Sequence, residues 1–528
     1  MNSIDQIKDL NTLGSILFQK GKKVQVFSYK RNLLILLGLL SVYRLLMAFV
    51  MELGNDETYY WLYSQKLQWN YFDHPPLVAI WIRIFTFNLA LDHIEGFIRL
   101  GSVVGGVLSS WMIFKTVSLL HSERAGWYAA VLYNASFYAG VTAGIYILPD
   151  SPQMVFWTFS MWMIAKITRN DHQWWPWILF AIGSGLCIMS KVHGAFLWIG
   201  LGAWILFFNR CWLKKPQLYL AVLISLVIIS PIFIWNYQYD FATWRYHSQR
   251  VDVDRFLVNW KSFLKQLASQ VGFNNPVNVI LVIAALVAWK KKLVSRDRAL
   301  HIFNLVGVPL AGILLIVSLF RDTALPHWSG PAYISLLPLA AIRLAGLKQK
   351  IFPSVLKLAL GVFLIIYIGW ALAVEYLPGT YSRDTESLGR GDITVDMYGW
   401  DDAGKQFSAI YNDDRASGEM PPGAPMVTSH WWGAHVEYYF CRPLDMVMLG
   451  LGENKTGHYL WLNKTRKDQV NPNEVYCVVP SADRYRIPYD YYKTIEMVRV
   501  IDVNRNGRPA HRFFVYRLKG LQKEIPFR

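Results

Sequence analysis

The chain has 528 residues, a formal net charge of +17, 54% hydrophobic residues and 23 Trp. A mean hydropathy of +0.24, with apolar runs long enough to cross a bilayer, excludes a soluble globular domain and predicts an α-helical polytopic membrane protein. From Leu377 onward 20 Lys and Arg balance 19 Asp and Glu, so the positive charge belongs to membrane orientation and anionic lipid, and nucleic acid is excluded as a partner.

Residues 1–32 read as a cytoplasmic segment carrying Lys20, Lys22, Lys23, Lys30 and Arg31. The first apolar run, 33–50, contains Arg44 and is followed by no small-residue cleavage site, so it reads as an anchor rather than a signal peptide. An outer loop, 51–96, comes next. Further spans are expected at 97–120, 125–146, 152–167, 174–189, 194–208, 218–235, 277–289, 302–320, 328–342 and 355–376, about eleven in all. Lys and Arg collect in every second connection, around Arg169, Arg210 to Lys215, Lys290 to Arg298 and Arg343 to Lys350. Those connections are therefore inside, and the tail after Tyr376 lies outside. The expected organisation is a membrane domain over 33–376 and an extracytoplasmic domain over 377–528.

The tail has the length of one small domain. After a linker at 384–398, a helix is expected at 399–411 and a strand at 425–429 running into a helix at 430–440. Strands are expected at 444–449, 475–480, 495–503 and 511–518, which makes a small α/β domain. Cys441 and Cys477 both fall in it; they fit a disulfide in an oxidising compartment and equally two packed thiols. Neither a metal-ligand spacing, a phosphate-binding Gly loop nor a hydrolase elbow is present.

The first outer loop is the most informative stretch. Asp56 and Glu57 are adjacent carboxylates just beyond the first span, suited to a general base and its electrostatic neighbour. Tyr59, Tyr60 and Trp61 beside them fit both sugar stacking and an interfacial aromatic belt. Asp150, bracketed by Pro149 and Pro152, fits a helix cap and a cavity acid, and the two roles are compatible. The loop 51–96, the corner at 148–152, the hairpin at 190–193, the loop 236–271 and the stretch 321–328 all fall at outer span ends. Together they can build one cavity at the outer membrane boundary, a geometry that suits a lipid-linked substrate.

Asp56-Glu57 with Tyr59-Tyr60-Trp61, then Tyr71-Phe72-Asp73-His74-Pro75-Pro76, Arg99-Leu100, Leu148-Pro149-Asp150-Ser151-Pro152, Gln249-Arg250 and Pro326-His327-Trp328 resemble a known family. It includes the dolichyl-phosphate-mannose protein mannosyltransferases and the bacterial aminoarabinose transferases of lipid A, glycosyltransferases of GT-C type. The resemblance implies a GT-C-like enzyme of the bacterial inner membrane with its C-terminal domain in the periplasm. It would move a single sugar from a polyprenyl-phosphate donor to a hydroxyl on a lipid, glycan or protein acceptor, with inversion.

On that resemblance Asp56 is the base, Glu57 its neighbour and Asp150 the second acid, with the order of the first two open. Asp73 would bind the substrate, and the phosphate would meet His74, Arg83, Arg99 and Arg250, with Lys191, His193, Arg321 and His327 behind them; each cation also fits anchorage to lipid headgroups. The aminoarabinose transferases carry a Lys where His74 stands. No cofactor is required, and a divalent metal stays an open alternative. Transfer of a preassembled oligosaccharide is the neighbouring enzymatic reading. A transporter would carry repeats and mid-bilayer charges, and a scaffold would bind a lipid-linked sugar without turning it over.

Overall fold

The computed structural model describes residues 28–527 apart from 252–256, 294–296, 322–324, 348–351, 383–386, 453–454 and 483–486. The expected segment before residue 28 lies outside the described residues, as does the side chain of Arg250. The chain opens with helices α1 (Tyr29–Val50), α2 (Asn55–Gln65), α3 (Leu77–Phe85), α4 (Glu95–Leu120) and α5 (Glu123–Ala135). There follow α6 (Asp150–Arg169), α7 (Trp174–Ser190), α8 (Ala195–Phe208), α9 (Pro216–Gln238) and α10 (Ala242–Val251). The membrane part ends with α11 (Trp260–Phe273), α12 (Pro276–Lys290), α13 (Arg298–Ser318), α14 (Gly330–Ala345) and α15 (Ser354–Tyr376).

Five of these helices, α1, α4, α9, α13 and α15, are long and apolar enough to cross a bilayer, and the pair α11 and α12, bent by 99°, makes a sixth if taken as one span. The protein is thus an integral, polytopic membrane protein. The other expected spans correspond to shorter or more polar helices. The stretch 125–146 is not one helix: α5 stops at Ala135, and a single π-helical turn at Tyr138–Thr142 redirects the chain toward Asp150. Polar pairing accompanies the break. Asn134 donates to Ser110 Oγ at 3.0 Å and to the Ala130 carbonyl at 2.8 Å, and accepts from Arg44 at 3.0 Å. Arg44, inside the first span, therefore meets an amide.

The tail folds as α16 (Trp400–Ser417), β1 (Met426–Thr428), a short helical segment over 433–441, β2 (Met448–Gly450), α17 (Tyr459–Arg466), β3 (Glu474–Pro480), β4 (Tyr492–Arg505) and β5 (Arg508–Leu521). The strands form one sheet in the order β2-β1-β3-β5-β4, parallel among β2, β1 and β3 and antiparallel beyond. Asn506 and Gly507, with φ of 48° and 74°, turn the β4–β5 hairpin as an Asn-Gly pair favours.

Side chains of β3 alternate between two cores. Tyr476 and Val478 join α16, the 433–441 segment and the aromatic residues of α2, whereas Val475, Cys477 and Val479 pack on the other face with Val427 and Leu449. A disulfide is thereby ruled out: Cys441 and Cys477 are both free and buried, in different cores. The first core is the structural link that matters, because Leu53 and Tyr59 to Tyr63 of the first outer loop share it with Trp400, Phe407 and Phe513.

Candidate active site

Gly54 precedes α2, and Glu57 in its first turn accepts the Gly54 N–H at 3.0 Å. The same carboxylate takes Arg99 through two bonds of 2.8 and 2.5 Å and the Ile147 N–H at 3.0 Å. Arg99 also donates to the carbonyls of Met51 and Glu52, at 2.6 and 2.8 Å. Glu57 is 2% exposed and Arg99 0%. They form a buried rivet between the first loop and α4, which corrects the expectation for Arg99: its guanidinium is taken up by Glu57 and backbone carbonyls rather than directed at a phosphate. Successive helical residues point about 100° apart, and Asp56, one position earlier, is exposed.

Asp56 opens into a cavity of about 330 Å³ lined by Tyr59, Tyr60, Asp73, His74, Asp150, Lys191 and His327 among others. The first loop, the corner before α6, the turn after α7 and the stretch before α14 thus converge as the sequence suggests. Asp150 is held by Lys191 at 2.8 and 3.0 Å and by the Tyr138 hydroxyl at 2.9 Å. Both side chains of the ion pair are almost fully buried, so Lys191 lines the cavity as the cationic half of a fixed pair. Asp73 accepts from the Tyr63 hydroxyl, and the His74 ring stands edge-on to Tyr60 at 5.6 Å.

Other expected contacts fall elsewhere. Arg83 donates to the carbonyls of Ser64 and Gln65, at 2.7 and 3.1 Å, closing the C-terminal turn of α2. Trp61 donates to Asp92 at 2.9 Å and packs on Tyr438 at 5.0 Å, so it is a core residue rather than a stacking surface. His193 packs on Trp328, ring centres 5.7 Å apart, and Arg321 donates to the Gln249 carbonyl at 3.0 Å. Neither lines the cavity.

The C-terminal domain supplies residues to which the sequence reading gives no role. His430, Trp431, Lys455 and Gly457 line the same cavity. Burial, reinforced by Lys455, holds His430 down to about 4, so it is neutral at pH 7. Gly457, at φ 58°, sits where a Cβ would come within 2.7 Å of the Tyr59 hydroxyl, and the His458 N–H donates to that hydroxyl at 3.1 Å. The signal was the Gly457-His458 turn after a polar triplet, too short to distinguish from a surface loop. A second cavity of about 610 Å³ adjoins the first and shares Asp56, Leu148, Leu325 and Trp431 with it. Met397, Trp400, Trp432 and Ile393 give it a largely apolar wall. Among the described residues no group of three or more His, Cys, Asp or Glu is placed to hold a metal ion.

An exposed carboxylate between two cavities, in a cavity also lined by a buried Lys and several imidazoles, can accept a proton while an anionic leaving group departs. The family model for dolichyl-phosphate-mannose-protein mannosyltransferase matches residues 73–235. In structure the chain is similar to ArnT from Cupriavidus metallidurans, apo and bound to undecaprenyl phosphate. The TM-score is 0.60 for each, at 15% and 14% identity, covering 94% and 93% of this chain and 100% and 99% of theirs. Together these bear out the resemblance carried by the motifs, to the GT-C-type polyprenyl-phosphate glycosyltransferases. In sequence the chain is similar to the lipid A galacturonosyltransferase RgtD of Rhizobium johnstonii, 23% identical over 346 residues, 64% of this chain and 71% of that one. It is also similar to the undecaprenyl phosphate-alpha-4-amino-4-deoxy-L-arabinose arabinosyl transferase 2 of Proteus mirabilis, 26% identical over 136 residues, 25% of this chain and 24% of that one.

Proposed function

We propose that the protein transfers a single hexosyl or pentosyl group from a polyprenyl-phosphate sugar to a hydroxyl of an envelope acceptor, at the outer face of the bacterial inner membrane. The observation that carries this reading is Asp56, exposed at the junction of the two cavities while its neighbour Glu57 is sealed against Arg99. The donor phosphate sits in the smaller cavity near Lys191, His74 and His327, and the acceptor approaches from the larger one. Asp56 takes the acceptor proton as the oxygen attacks the anomeric carbon. The bond from that carbon to the phosphate oxygen breaks in line, its electron pair leaves with the carrier phosphate, and configuration inverts. Asp150 holds Lys191 in place. The reaction requires no cofactor.

Lipid, glycan and protein acceptors all fit this chemistry; similarity to a lipid A galacturonosyltransferase favours a lipid A-like acceptor. The reading includes about eleven passes, a membrane domain over 33–376 and a periplasmic domain over 377–528. Asp56→Asn preserves shape and removes the proton acceptor. Transfer from a defined polyprenyl-phosphate sugar is expected to fall at least about a hundredfold, with donor binding retained in a direct binding assay. Near-normal transfer by this variant would overturn the assignment.

A further inference from the structure

Asp56 is the second residue of α2, so its aim depends on what holds the first turn. The first residue, Asn55, is gripped from both sides by the C-terminal domain. On one side Asp396 accepts the Asn55 backbone N–H, at 3.3 and 3.4 Å from its two oxygens, and also the Asn55 side-chain amide. A helix leaves its first N–H groups without partners inside the helix, and here a carboxylate from 341 residues away supplies one. On the other side His435 Nδ1 lies 2.8 Å from Asn55 Oδ1.

The chemistry fixes the orientation of every group in this chain. An ionised Asp396 can only accept, so the Asn55 amide nitrogen faces it and the amide oxygen faces His435, which must donate from Nδ1. His435 is 0% exposed, and burial keeps it neutral. Its ring stacks on Trp400 with centres 3.6 Å apart. The Trp400 and Asp401 N–H groups in turn bond the Glu52 carboxylate at 2.9 and 3.1 Å, so the clamp is anchored at both ends of the Glu52 to Asn55 turn. Gly54 makes the approach possible: a Cβ there would lie 2.9 Å from Asp396 Oδ2.

We propose that Asp396 and His435 are positioning residues that aim Asp56 through Asn55, which makes the C-terminal domain a working part of the active site. The inference rests on Asp56 being the base. Displacing a reacting group by about 1 Å costs up to a hundredfold in rate, so loosening this clamp lowers kcat and leaves donor KM close to its original value.

The test is a double-mutant cycle on the full-length protein in lipid, with a defined donor and acceptor, the thermal midpoint being measured on every variant. Asp396→Ala and His435→Ala are each expected to lower kcat about tenfold or more, with donor KM within about twofold. In an Asn55→Ala background, adding Asp396→Ala is expected to cost clearly less than it does alone, because the side-chain route to Asp56 is already cut and only the backbone N–H contact to Asp396 remains. His435→Asn, which keeps a donor near the Nδ1 position, recovers most of the rate. Asp396→Asn replaces Asp396→Ala in the cycle if the latter fails to fold. An equal loss from the Asp396 change with and without Asn55, or no advantage of His435→Asn over His435→Ala, overturns the proposal. That failure is separable from failure of the base assignment, since Asp56→Asn remains inactive in the first case and active in the second.

Discussion

Lys191 and Asp150 are bound to each other in a nearly dry setting, the side chains 4% and 2% exposed. Removing one partner of such a pair strands a buried charge, at a cost of about 3–5 kcal/mol, whereas removing both is close to neutral. Lys191→Met should therefore lower the thermal midpoint sharply, and adding Asp150→Asn should restore most of it without restoring transfer. A double variant as unstable as the single one would mean that the pair is not electrostatically coupled. The same scale marks the limit of the sequence. Asp56 and Glu57 stand side by side in it, and either fits the role of base. Only the rotation of one residue along α2 separates a carboxylate open to the cavity from one riveted to Arg99. Arg99 was legible as a motif residue, but its partner lies 42 positions away, and no local pattern specifies that distance.

Among elements, the strands of the C-terminal domain were legible because β-branched and aromatic residues alternate between turn residues, and the Asn506-Gly507 hairpin lies where such a turn is favoured. Helix ends inside the membrane were not, since a run such as 125–146 stays apolar across the break that Asn134 and the π-helical turn impose. The elements of the C-terminal domain also carry histidines that burial holds neutral: His458 and His511 are pushed down to about 3, and His430 to about 4. In the unfolded chain these groups titrate near 6.5, so their stabilising contribution is complete above that pH and is lost as the pH falls toward 4. For the fully buried His458 and His511 the slope approaches about 1.4 kcal/mol per pH unit each. Glu52 works in the opposite sense, because burial raises it to about 7. Its contribution is complete below about 4.5 and fades as the pH rises through 7. Together these histidines outweigh one glutamate, so proteolysis of the C-terminal domain should accelerate below about pH 6. Glu52→Gln should make that acid-side loss steeper; an unchanged pH profile would show that Glu52 does not titrate on docking.

At the scale of the whole molecule, the reading places everything after Tyr376 outside the membrane. A reporter active only in the cytoplasm, fused after Arg528, should be silent, and activity there would put the C-terminal domain on the wrong side of the cavity. Composition made the polytopic membrane character plain from the start. That the tail closes the site was hidden, because the contacts responsible join the two ends of the chain. Asn55 meets His435 across 380 residues, and Tyr59 meets His458 across 399. Ribosomes add roughly 5–20 residues per second, so on the order of 20–80 s separates the synthesis of Asp56 from that of the groups that hold it. During that interval the nascent chain carries its acid and the beginnings of its membrane part but has no finished reaction chamber, and a chain released early is left inert.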